Sequence, residues 1–533
     1  MDAGICSFAF VLAFAAAGRG FFPLDQSIVF DGGYRIASGQ VPYRDFILPF
    51  GPVTFWLQAA LFEIFGVGAF AYRLGGALAN AVGAACSIAI LRAFFPQQRA
   101  LAPLAGLLTA AWFCAPFGTL WMEQTAFLFA FLGLALLVSR FAALEQRSSA
   151  DAVALAASGA LAFLSFLGKQ NAGSYVLGLY PALLCIRLWP GARAMLWGVA
   201  CWGAGLFGAA GLFAFWLWGC SDPASFYHHV FEIPAQLGAE RFRRDVAELV
   251  KMLLTGAGPD FVRLPLLATS GFALAVLLRA LVIPARDRSR LVAAALCAGL
   301  ALAQNLFVFT TFNAYENGLP FVGLVFTLGT GLLLTSRLGA PLATAITWLA
   351  FATTGYVVWR GAELSMSRQV HDIFGGASFP HSLAIERLEG LRWAQPTRIR
   401  ELDDPPGTGS DVTEQDLAAL VSLLESRGAN FLVFPDFTFL YGVVGRPSPQ
   451  PLLFFHRGNT YSKQYEPALD QRIVAALRAN DVAIVVLERV SWFGTQKRLD
   501  DFPLLKAFLA DDFEKSREIG IFDVYERRQA ASG

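Results

Sequence analysis

The sequence predicts a mainly α-helical, polytopic membrane protein with a soluble α/β domain at its carboxyl end. Of the 533 residues, 56% are hydrophobic and 15% are charged, whereas ordinary soluble domains contain roughly 25% charged residues. The apolar residues gather in runs that approach or exceed the roughly 20 residues needed to cross a bilayer. Charges and prolines return to ordinary frequency after about Arg360. We therefore expect a transmembrane domain over residues 1–360 and an extracytoplasmic domain over residues 361–533.

Eleven apolar runs are predicted to be transmembrane helices. No Lys or Arg precedes the first run, which favours a retained span over a signal peptide cleaved near AAAG. The run from Val53 to Phe65 is too short to cross a bilayer, so we expect it to lie at the membrane surface. The predicted spans lie near residues 3–18, 74–94, 101–120, 121–140, 152–168, 171–188, 194–219, 264–283, 291–312, 318–336 and 340–359.

The distribution of arginine predicts the orientation of these spans. If the amino terminus is cytoplasmic, eleven arginines fall in the cytoplasmic turns, whereas the short external turns hold Lys169 as their cation. Cations in short loops favour the cytoplasmic side. This orientation places the loops 19–73 and 220–263, and the domain after Arg360, on the outer face of a multi-pass protein of the cell (inner) membrane.

Helices and short strands alternate in the carboxyl-terminal domain. VTEQDLAALVSLLESRG has helical periodicity with a start signal from Thr413 to Asp416, and LDQRIVAALRAND predicts a second helix. NFLVF and VAIVVLERV read as buried strands, and FPLLKAFLADDF followed by IFDVYER repeats the alternation, which is typical of an α/β layer. The domain contains no Gly-rich phosphate loop, GxSxG or HExxH. We therefore expect a lid or recognition module.

Charge and cysteine usage exclude two classes of function. The formal net charge is +1, and no basic stripe of the kind that nucleic acid requires is visible. The seven cysteines lie in or beside apolar runs without a CxxC spacing, so they read as buried hydrophobic residues. Nucleic acid is therefore not an expected partner, and neither a disulfide framework nor a cysteine metal site is expected.

The first polar cluster of the chain, LDQSIVFDGGYRIASGQVPYRDFILPFGP, contains three aspartates directly after the first span. Asp25 is the first of them and so is expected nearest the membrane, either as a catalytic carboxylate or as the cap of the following helix. Asp45 either binds substrate or pairs with Arg44 or Arg73. Asp31 stands in FDGGY, where Asp-Gly is a turn signal and two glycines weaken a helix, so a turn is predicted there.

The spacing of these residues carries a resemblance. An aspartate after the first span is followed fourteen residues later by Gly39, then by PYRDF, a Gly-Pro break, an interfacial run ending in FG, and Arg73 at the mouth of the second span. Together these features resemble the GT-C membrane glycosyltransferases, and more narrowly the group that includes protein O-mannosyltransferases and the lipid A aminoarabinose transferase. The resemblance covers residues 20 to about 130 well, the later spans loosely and the soluble domain weakly.

The resemblance implies an enzyme that transfers a sugar, with inversion, on the outer face of the bilayer. Its donor would be a polyprenyl-phosphate-linked sugar and its acceptor a lipid, glycan or protein; no cofactor is required and a divalent metal is possible. The family's catalytic carboxylate maps onto Asp25, and Asp45 matches a second acidic position. Gln26 stands where the family often has Glu, which weakens a two-carboxylate metal site. Gly51 stands where many relatives have a phosphate-binding Lys.

Elementary chemistry assigns the same loop a role. A sugar hydroxyl is a poor nucleophile near neutral pH, so its transfer needs a carboxylate that accepts a proton. The departing lipid phosphate needs cations to stabilise its growing charge. Glu123 and Lys169 stand at outer ends of predicted spans, where charged residues are candidates for substrate binding, although a structural Glu and a simple loop cation are the alternatives.

Two further outer segments supply candidate substrate-binding residues. YHHVFEIPAQLGAERFRR contains three arginines, which suit bidentate phosphate binding and replace the missing Lys. Its adjacent histidines, His228 and His229, are not expected to share a metal without other ligands. NAYENGLP either lines the same cavity or forms an ordinary loop. The candidates in these segments are Arg241, Arg243, Arg244, Tyr315 and Glu316.

Two rival functions follow from the same sequence. A transporter or a non-enzymatic envelope protein is the first, but transporters tend to show internal repeats and interrupted spans in matching halves, and no such symmetry is visible. A GT-C-fold polymerase or ligase that uses a lipid-diphosphate donor is the second.

Overall fold

The computed structural model describes residues 1–21, 25–141, 144–236, 260–282, 288–311, 319–336, 339–367, 382–393, 412–489, 491 and 494–528. At residues 25, 145, 260–267, 280–282 and 308–311 the description covers the main chain alone.

Helices form most of the described chain. Helices α1 to α10 cover Asp2–Ala17, Asp25–Ala37, Val53–Phe65, Ala69–Phe94, Leu101–Trp112, Met122–Ser139, Ser149–Gly168, Gln170–Gly173, Tyr175–Leu188 and Ala192–Cys220. Helices α11 to α15 cover Pro223–Tyr227, Asp260–Val282, Arg288–Thr311, Val322–Leu334 and Ala340–Ser367. Helices α16 to α20 cover Glu414–Arg427, Leu440–Val444, Pro467–Ala479, Thr495–Asp500 and Pro503–Asp512. Strands β1 to β4 cover Phe431–Phe434, Ile484–Glu488, Phe513–Ile519 and Phe522–Arg527.

The helices confirm a mainly α-helical protein with many apolar helices and a small carboxyl-terminal sheet. In the described part of the chain six helices (α4, α6, α7, α10, α13 and α15) are long and apolar enough to cross a membrane. The apolar run predicted to lie at the membrane surface forms α3, with the predicted ends. The number of eleven spans stays a prediction, because several of the corresponding helices are shorter than a bilayer is thick.

The predicted span 101–120 forms a shorter helix than expected. Helix α5 ends at Trp112, and the chain turns before α6 begins at Met122. Gly118 adopts a φ of 70° in this turn, and a Cβ there would lie 2.5 Å from the Ala17 main chain. The close approach therefore requires glycine, and it interrupts an apolar sequence that by itself would continue as a helix.

The chain divides into two compact units. Unit one comprises Met1–Ala17, Gly76–Trp216 and Arg241–Val370, and unit two comprises Gly18–Gly75, Leu217–Glu240 and His371–Gly533. Unit two therefore contains the loop 19–73, which the sequence predicts to lie on the outer face, together with the carboxyl-terminal segment.

Hydrogen bonds between neighbouring helices hold unit one together at close range. Ser158 Oγ donates to the Gly133 carbonyl over 2.8 Å, and Ser165 Oγ donates to the Ala126 carbonyl over 2.7 Å, which joins α6 to α7. The Asn80 amide donates to the carbonyls of Ala9 and Ala110, over 2.8 Å in each case. Small residues at such crossings let helices approach closely where the surroundings offer no water.

The sheet of unit two has the strand order β1-β2-β4-β3. Strand β1 pairs in parallel with β2, β4 pairs antiparallel with β2, and β3 and β4 form a hairpin. The predicted helix start at Thr413 is confirmed as a capping box, in which Thr413 accepts from the Asp416 amide and the Asp416 side chain accepts in return. The predicted α/β alternation is confirmed, whereas β3 was not predicted.

The predicted turn at Asp31 is wrong, because FDGGY lies in the middle of α2. A Cβ on Gly32 would lie 2.3 Å from the Phe55 ring, and a Cβ on Gly33 would lie 2.6 Å from the Gln58 side chain. The two glycines therefore allow α3 to pack directly against α2. Tertiary packing overrides the low helix propensity of glycine here.

Candidate functional site

Helix α2 begins at Asp25, and the residues that follow are anchored within unit two. The Phe439 amide donates to Ser27 Oγ over 2.8 Å, and the Tyr72 hydroxyl donates to the Gln26 carbonyl over 3.4 Å. The side chain of Asp25 lies outside the described residues. The start of the helix is thus held in place, and the catalytic role of its first carboxylate stays a prediction.

An aromatic cluster buries one face of α2. The Phe21 ring packs edge-to-face against Tyr72 at 5.7 Å and Phe439 at 5.3 Å between centroids, and lies 6.0 Å from Trp393. Phe30 of α2 joins the cluster, with its ring 5.7 Å from that of Tyr72. Buried aromatic side chains contribute large apolar areas and favour such edge-to-face arrangements. The cluster therefore positions α2 against residues that are distant in sequence.

Asp31 and Arg35 form a buried ion pair one turn apart on α2. Arg35 Nε donates to Asp31 Oδ2 over 2.9 Å, and its other nitrogens donate to the carbonyls of Gln450 and Leu452 over 2.8 and 3.2 Å. Burial raises the pKa of Asp31 to about 6, although the charge and hydrogen bond of Arg35 oppose that change. The i,i+4 spacing of Asp and Arg was a sequence signal for this pair, and the glycines between them concealed it.

Asp45 is held by three hydrogen bonds in its own turn. Arg44 donates to its two oxygens over 2.9 and 2.8 Å, and the Val41 amide donates over 2.7 Å. Partial burial raises the pKa of Asp45, but the bonds from Arg44 and Val41 outweigh it and leave the pKa below its usual value. The structural pairing with Arg44 is confirmed. A role in substrate binding stays a prediction.

Glu123 and Lys169, which the sequence singled out separately, form an ion pair in unit one. Glu123 lies in the first turn of α6, and Lys169 lies in extended conformation between α7 and α8. The Glu123 side chain is 2% exposed and the Lys169 side chain 16%. At the other end of the antiparallel α6–α7 pair, Arg140 and Asp151 approach to 2.6 Å. Ion pairs therefore join both ends of these two helices.

The remaining candidates lie outside the described residues. They are Arg241, Arg243, Arg244, Tyr315 and Glu316.

The two adjacent histidines point to different surroundings. His228 Nδ1 lies 2.6 Å from Glu232 Oε2 on the surface of unit two. His229 is buried, with its Nδ1 2.7 Å from the Ser225 carbonyl, and burial lowers its pKa to about 4. Across the described part of the chain, no group of three His, Cys, Asp or Glu side chains is arranged to hold a metal ion.

The fold of the chain is similar to that of a membrane enzyme of known structure, although comparisons of the sequence find no match. The chain matches no protein-family model, and no curated protein sequence matches it. The crystal structure of ArnT from Cupriavidus metallidurans bound to undecaprenyl phosphate matches with a TM-score of 0.57 and 15% identity, over 99% of this chain and 98% of that chain. The apo structure of the same protein matches with a TM-score of 0.55 and 14% identity, over 98% and 97% of the two chains.

The similarity extends through both units of the chain and is not limited to the apolar helices. ArnT is a lipid A aminoarabinose transferase of the GT-C class. Over nearly its whole length, therefore, this chain has the same fold as ArnT.

Proposed function

We propose that this protein is a membrane glycosyltransferase that moves a sugar, with inversion, from a polyprenyl-phosphate-linked donor to a lipid, glycan or protein acceptor on the outer face. The observation that carries the proposal is the agreement in fold, over 99% of this chain, with a protein whose structure contains undecaprenyl phosphate. Since fold alone does not determine function, the assignment of roles to residues rests on their chemistry.

The proposed reaction is a single displacement at the anomeric carbon. The acceptor hydroxyl oxygen attacks that carbon, the bond between the carbon and the phosphate oxygen breaks, and polyprenyl phosphate leaves with the bonding electrons. We assign the acceptor proton to the Asp25 carboxylate, because a positioned carboxylate makes the hydroxyl a better nucleophile. Arg241, Arg243 and Arg244 are assigned to the leaving phosphate, since guanidinium groups bind its oxygens in pairs.

The other candidates are assigned to substrate binding. Lys169 is the least suited of the cations to a phosphate, because its ion pair with Glu123 already balances its charge. We therefore assign the Glu123–Lys169 pair to polar groups of a substrate. Asp45, Tyr315 and Glu316 have the same proposed role. The proposal also places the carboxyl-terminal segment outside the cytoplasm, on the basis of the arginine distribution.

A reconstituted transfer assay tests the proposal. The purified protein in liposomes would receive polyprenyl-phosphate donors that carry a pentose or a hexose, together with lipids, glycans and proteins of the cell envelope. Mass spectrometry should detect an acceptor that gains the mass of one sugar. Envelope glycans and glycoproteins from cells with and without the gene would then identify the natural acceptor. Transfer from a lipid-diphosphate donor, with no transfer from any polyprenyl-phosphate donor, would refute the proposed donor class.

A further inference from the structure

A cluster of buried charged residues lies at the carboxyl ends of the two parallel strands of unit two. Asp436 follows β1, and Glu488 is the last residue of β2. Because the carboxyl ends of parallel strands meet at one edge of a sheet, these two carboxyl groups come together although they are 52 positions apart. Arg498 of α19 reaches the same edge. All three residues are at most 3% exposed, and the proposed reaction uses none of them.

The three charged side chains bind one another and the main chain. The two terminal nitrogens of Arg498 donate to Asp436 Oδ1 and Oδ2 over 2.6 and 2.9 Å. Glu488 Oε1 accepts from the amides of Asp436 and Phe437 over 2.5 and 2.9 Å. Thr495 Oγ1 donates to the Glu488 carbonyl, which fixes the start of α19 against the end of β2. The cluster therefore fixes the first residues of the loop that follows β1.

The charges within this cluster balance. Burial and the neighbouring Asp436 charge raise the pKa of Glu488 well above its usual value. Glu488 therefore keeps its proton near neutral pH, and the charges of Asp436 and Arg498 cancel. A buried ion pair adds little net stability, because the loss of hydration of both charges offsets their attraction. A bidentate pair does supply a fixed distance and a fixed orientation for the loop that carries Asp436.

The same loop reaches the first turn of α2. Three residues after Asp436, the Phe439 amide donates to Ser27 Oγ over 2.8 Å. The hydroxyl groups of Thr438 and Ser27 lie 3.3 Å apart. Ser27 is fully buried and stands two residues after Asp25, at which α2 begins. A short stretch of main chain and one hydrogen bond thus join the buried cluster to the helical turn that carries the proposed base.

Aromatic rings hold this loop on both sides. The Phe437 ring stacks on Trp393 with centroids 5.2 Å apart and meets Phe522 of β4 edge-to-face at 4.9 Å. The Phe439 ring meets Phe21 edge-to-face at 5.3 Å. Both rings of the loop are at most 1% exposed. Close-packed interiors transmit a displacement instead of absorbing it, so a shift at the start of the loop should reach α2.

We infer that Asp436 and Arg498 are positioning residues for the proposed transfer. Their pair fixes the loop 435–439, and the loop, through Ser27, sets the position of the first turn of α2 and of Asp25. Neither residue of the pair touches a substrate. The catalytic consequence rests on the proposed function, whereas the mechanical link between the pair and α2 does not. The carboxyl-terminal segment, predicted as a lid or recognition module, thereby acquires a role in supporting the proposed base.

Hydrogen exchange of the full chain in lipid nanodiscs tests the link without using activity. Arg498→Lys keeps the charge but loses the bidentate geometry. We expect the amides of residues 29–31, which close the first turn of α2, to exchange about tenfold faster than in wild type. Asp470→Asn is the matched control, because Asp470 is buried in the same unit and accepts from the amides of Leu504 and Leu505. Unchanged exchange in Arg498→Lys, or an equal rise in Asp470→Asn, would overturn the inference.

Transfer kinetics test the consequence, with the polyprenyl-phosphate sugar that wild type uses. Arg498→Lys should lower kcat by about 10- to 100-fold and leave the donor KM within about twofold, because a displaced base slows transfer without removing a donor contact. Ser27→Ala leaves the buried pair intact and removes its last link to α2, so it should show the same pattern even if Arg498→Lys folds poorly. Asp470→Asn should keep the wild-type kcat.

The background of the variant separates positioning from a general loss of structure. In an Asp25→Asn protein the base is already absent, so adding Arg498→Lys should lower the remaining kcat by no more than about twofold. A wild-type kcat in folded Arg498→Lys or Ser27→Ala, or an undiminished loss in the Asp25→Asn background, would overturn the positioning role. Absence of transfer by wild type would instead refute the proposed function, and the exchange rates would then decide the link alone.

Discussion

Arg35 Nε lies 2.9 Å from Asp31 Oδ2 within α2, and neither side chain has any exposed surface. The same guanidinium donates to the carbonyls of Gln450 and Leu452. The pair therefore fastens the helix that begins with the proposed catalytic residue to a loop more than 400 residues later. The first prediction concerns this pair.

Asp31→Ala is expected to lower the free energy of unfolding by about 3–5 kcal/mol, because it leaves the buried Arg35 charge without a carboxylate. Thermal unfolding of the purified protein in one detergent measures the effect. Arg44→Ala is the matched control: Arg44 is 52% and its partner Asp45 32% exposed, so we expect a change of about 0–1 kcal/mol. Equal losses of unfolding free energy in the two variants would show that the buried Asp31–Arg35 pair contributes no more to stability than the exposed Arg44–Asp45 pair does.

The second prediction concerns the pH dependence that the same pair causes. The pKa of Asp31 rises from 3.8 to about 6 on folding. Between these values the folded protein binds the proton more tightly than the unfolded chain does, so this group's contribution to stability is full below about pH 4 and is lost as the pH rises through 6.

The difference in unfolding free energy between wild type and Asp31→Asn isolates this contribution, because the other titrating groups cancel. As the pH rises from 4 to 7, the wild type should lose on the order of 3 kcal/mol of unfolding free energy relative to Asp31→Asn. A difference that stays constant, or that changes in favour of the wild type as the pH rises, contradicts the assigned pKa.

The third prediction concerns the coupling between Glu123 and Lys169. Lys169→Met leaves a carboxylate that is 2% exposed without its lysine, which should cost about 3–5 kcal/mol. The double variant with Glu123→Gln should be more stable than Lys169→Met alone. A double-mutant cycle on unfolding measures the coupling. Single effects that add to the double effect within about 0.5 kcal/mol would mean that the two side chains act independently.

The fourth prediction concerns topology. We expect the carboxyl terminus to lie outside the cytoplasm, because an odd number of predicted spans follows a cytoplasmic start and the arginine distribution agrees. A reporter that is active only in the cytoplasm, fused after Gly533, should give no signal. A reporter active only outside the cytoplasm serves as its control. A strong cytoplasmic signal would show that the predicted number of spans is wrong by one.

Local sequence signals predicted the elements whose cause is itself local. The capping box at Thr413 and Asp416 lies within four residues, and the buried strand at Phe431–Phe434 is a continuous apolar run. Strand β3 was missed because Phe513 is its one fully buried residue, and the charged residues that follow do not alternate with apolar ones.

Contacts between distant residues explain the failures. The glycines of FDGGY predicted a turn, because glycine is rare inside helices. In the structure they make room for the Phe55 side chain of another helix, and the local sequence does not show that contact. Glu123 and Lys169 were each identified as candidates, but nothing local to either residue indicates a pairing across 46 positions. For the same reason, the aromatic cluster around Phe21 follows from the fold and has no sequence signature.

In the proposed reaction, Asp25 accepts the proton of the acceptor hydroxyl during sugar transfer. Asp25→Asn keeps the size and most of the hydrogen bonding of the side chain but cannot accept the proton. Transfer from a polyprenyl-phosphate sugar should therefore fall by about 10²- to 10⁴-fold, with expression and donor binding retained. Glu63→Gln is the control, because it changes an exposed carboxylate of the same loop that has no proposed role in the site.

The decisive measurement is the transfer rate of purified Asp25→Asn at saturating donor, beside wild type and Glu63→Gln. We expect Asp25→Asn to bind donor as tightly as wild type does and to transfer sugar at least about a hundredfold more slowly. Near-wild-type transfer by Asp25→Asn, with donor binding unchanged, would show that Asp25 is not the base and that another carboxylate accepts the proton.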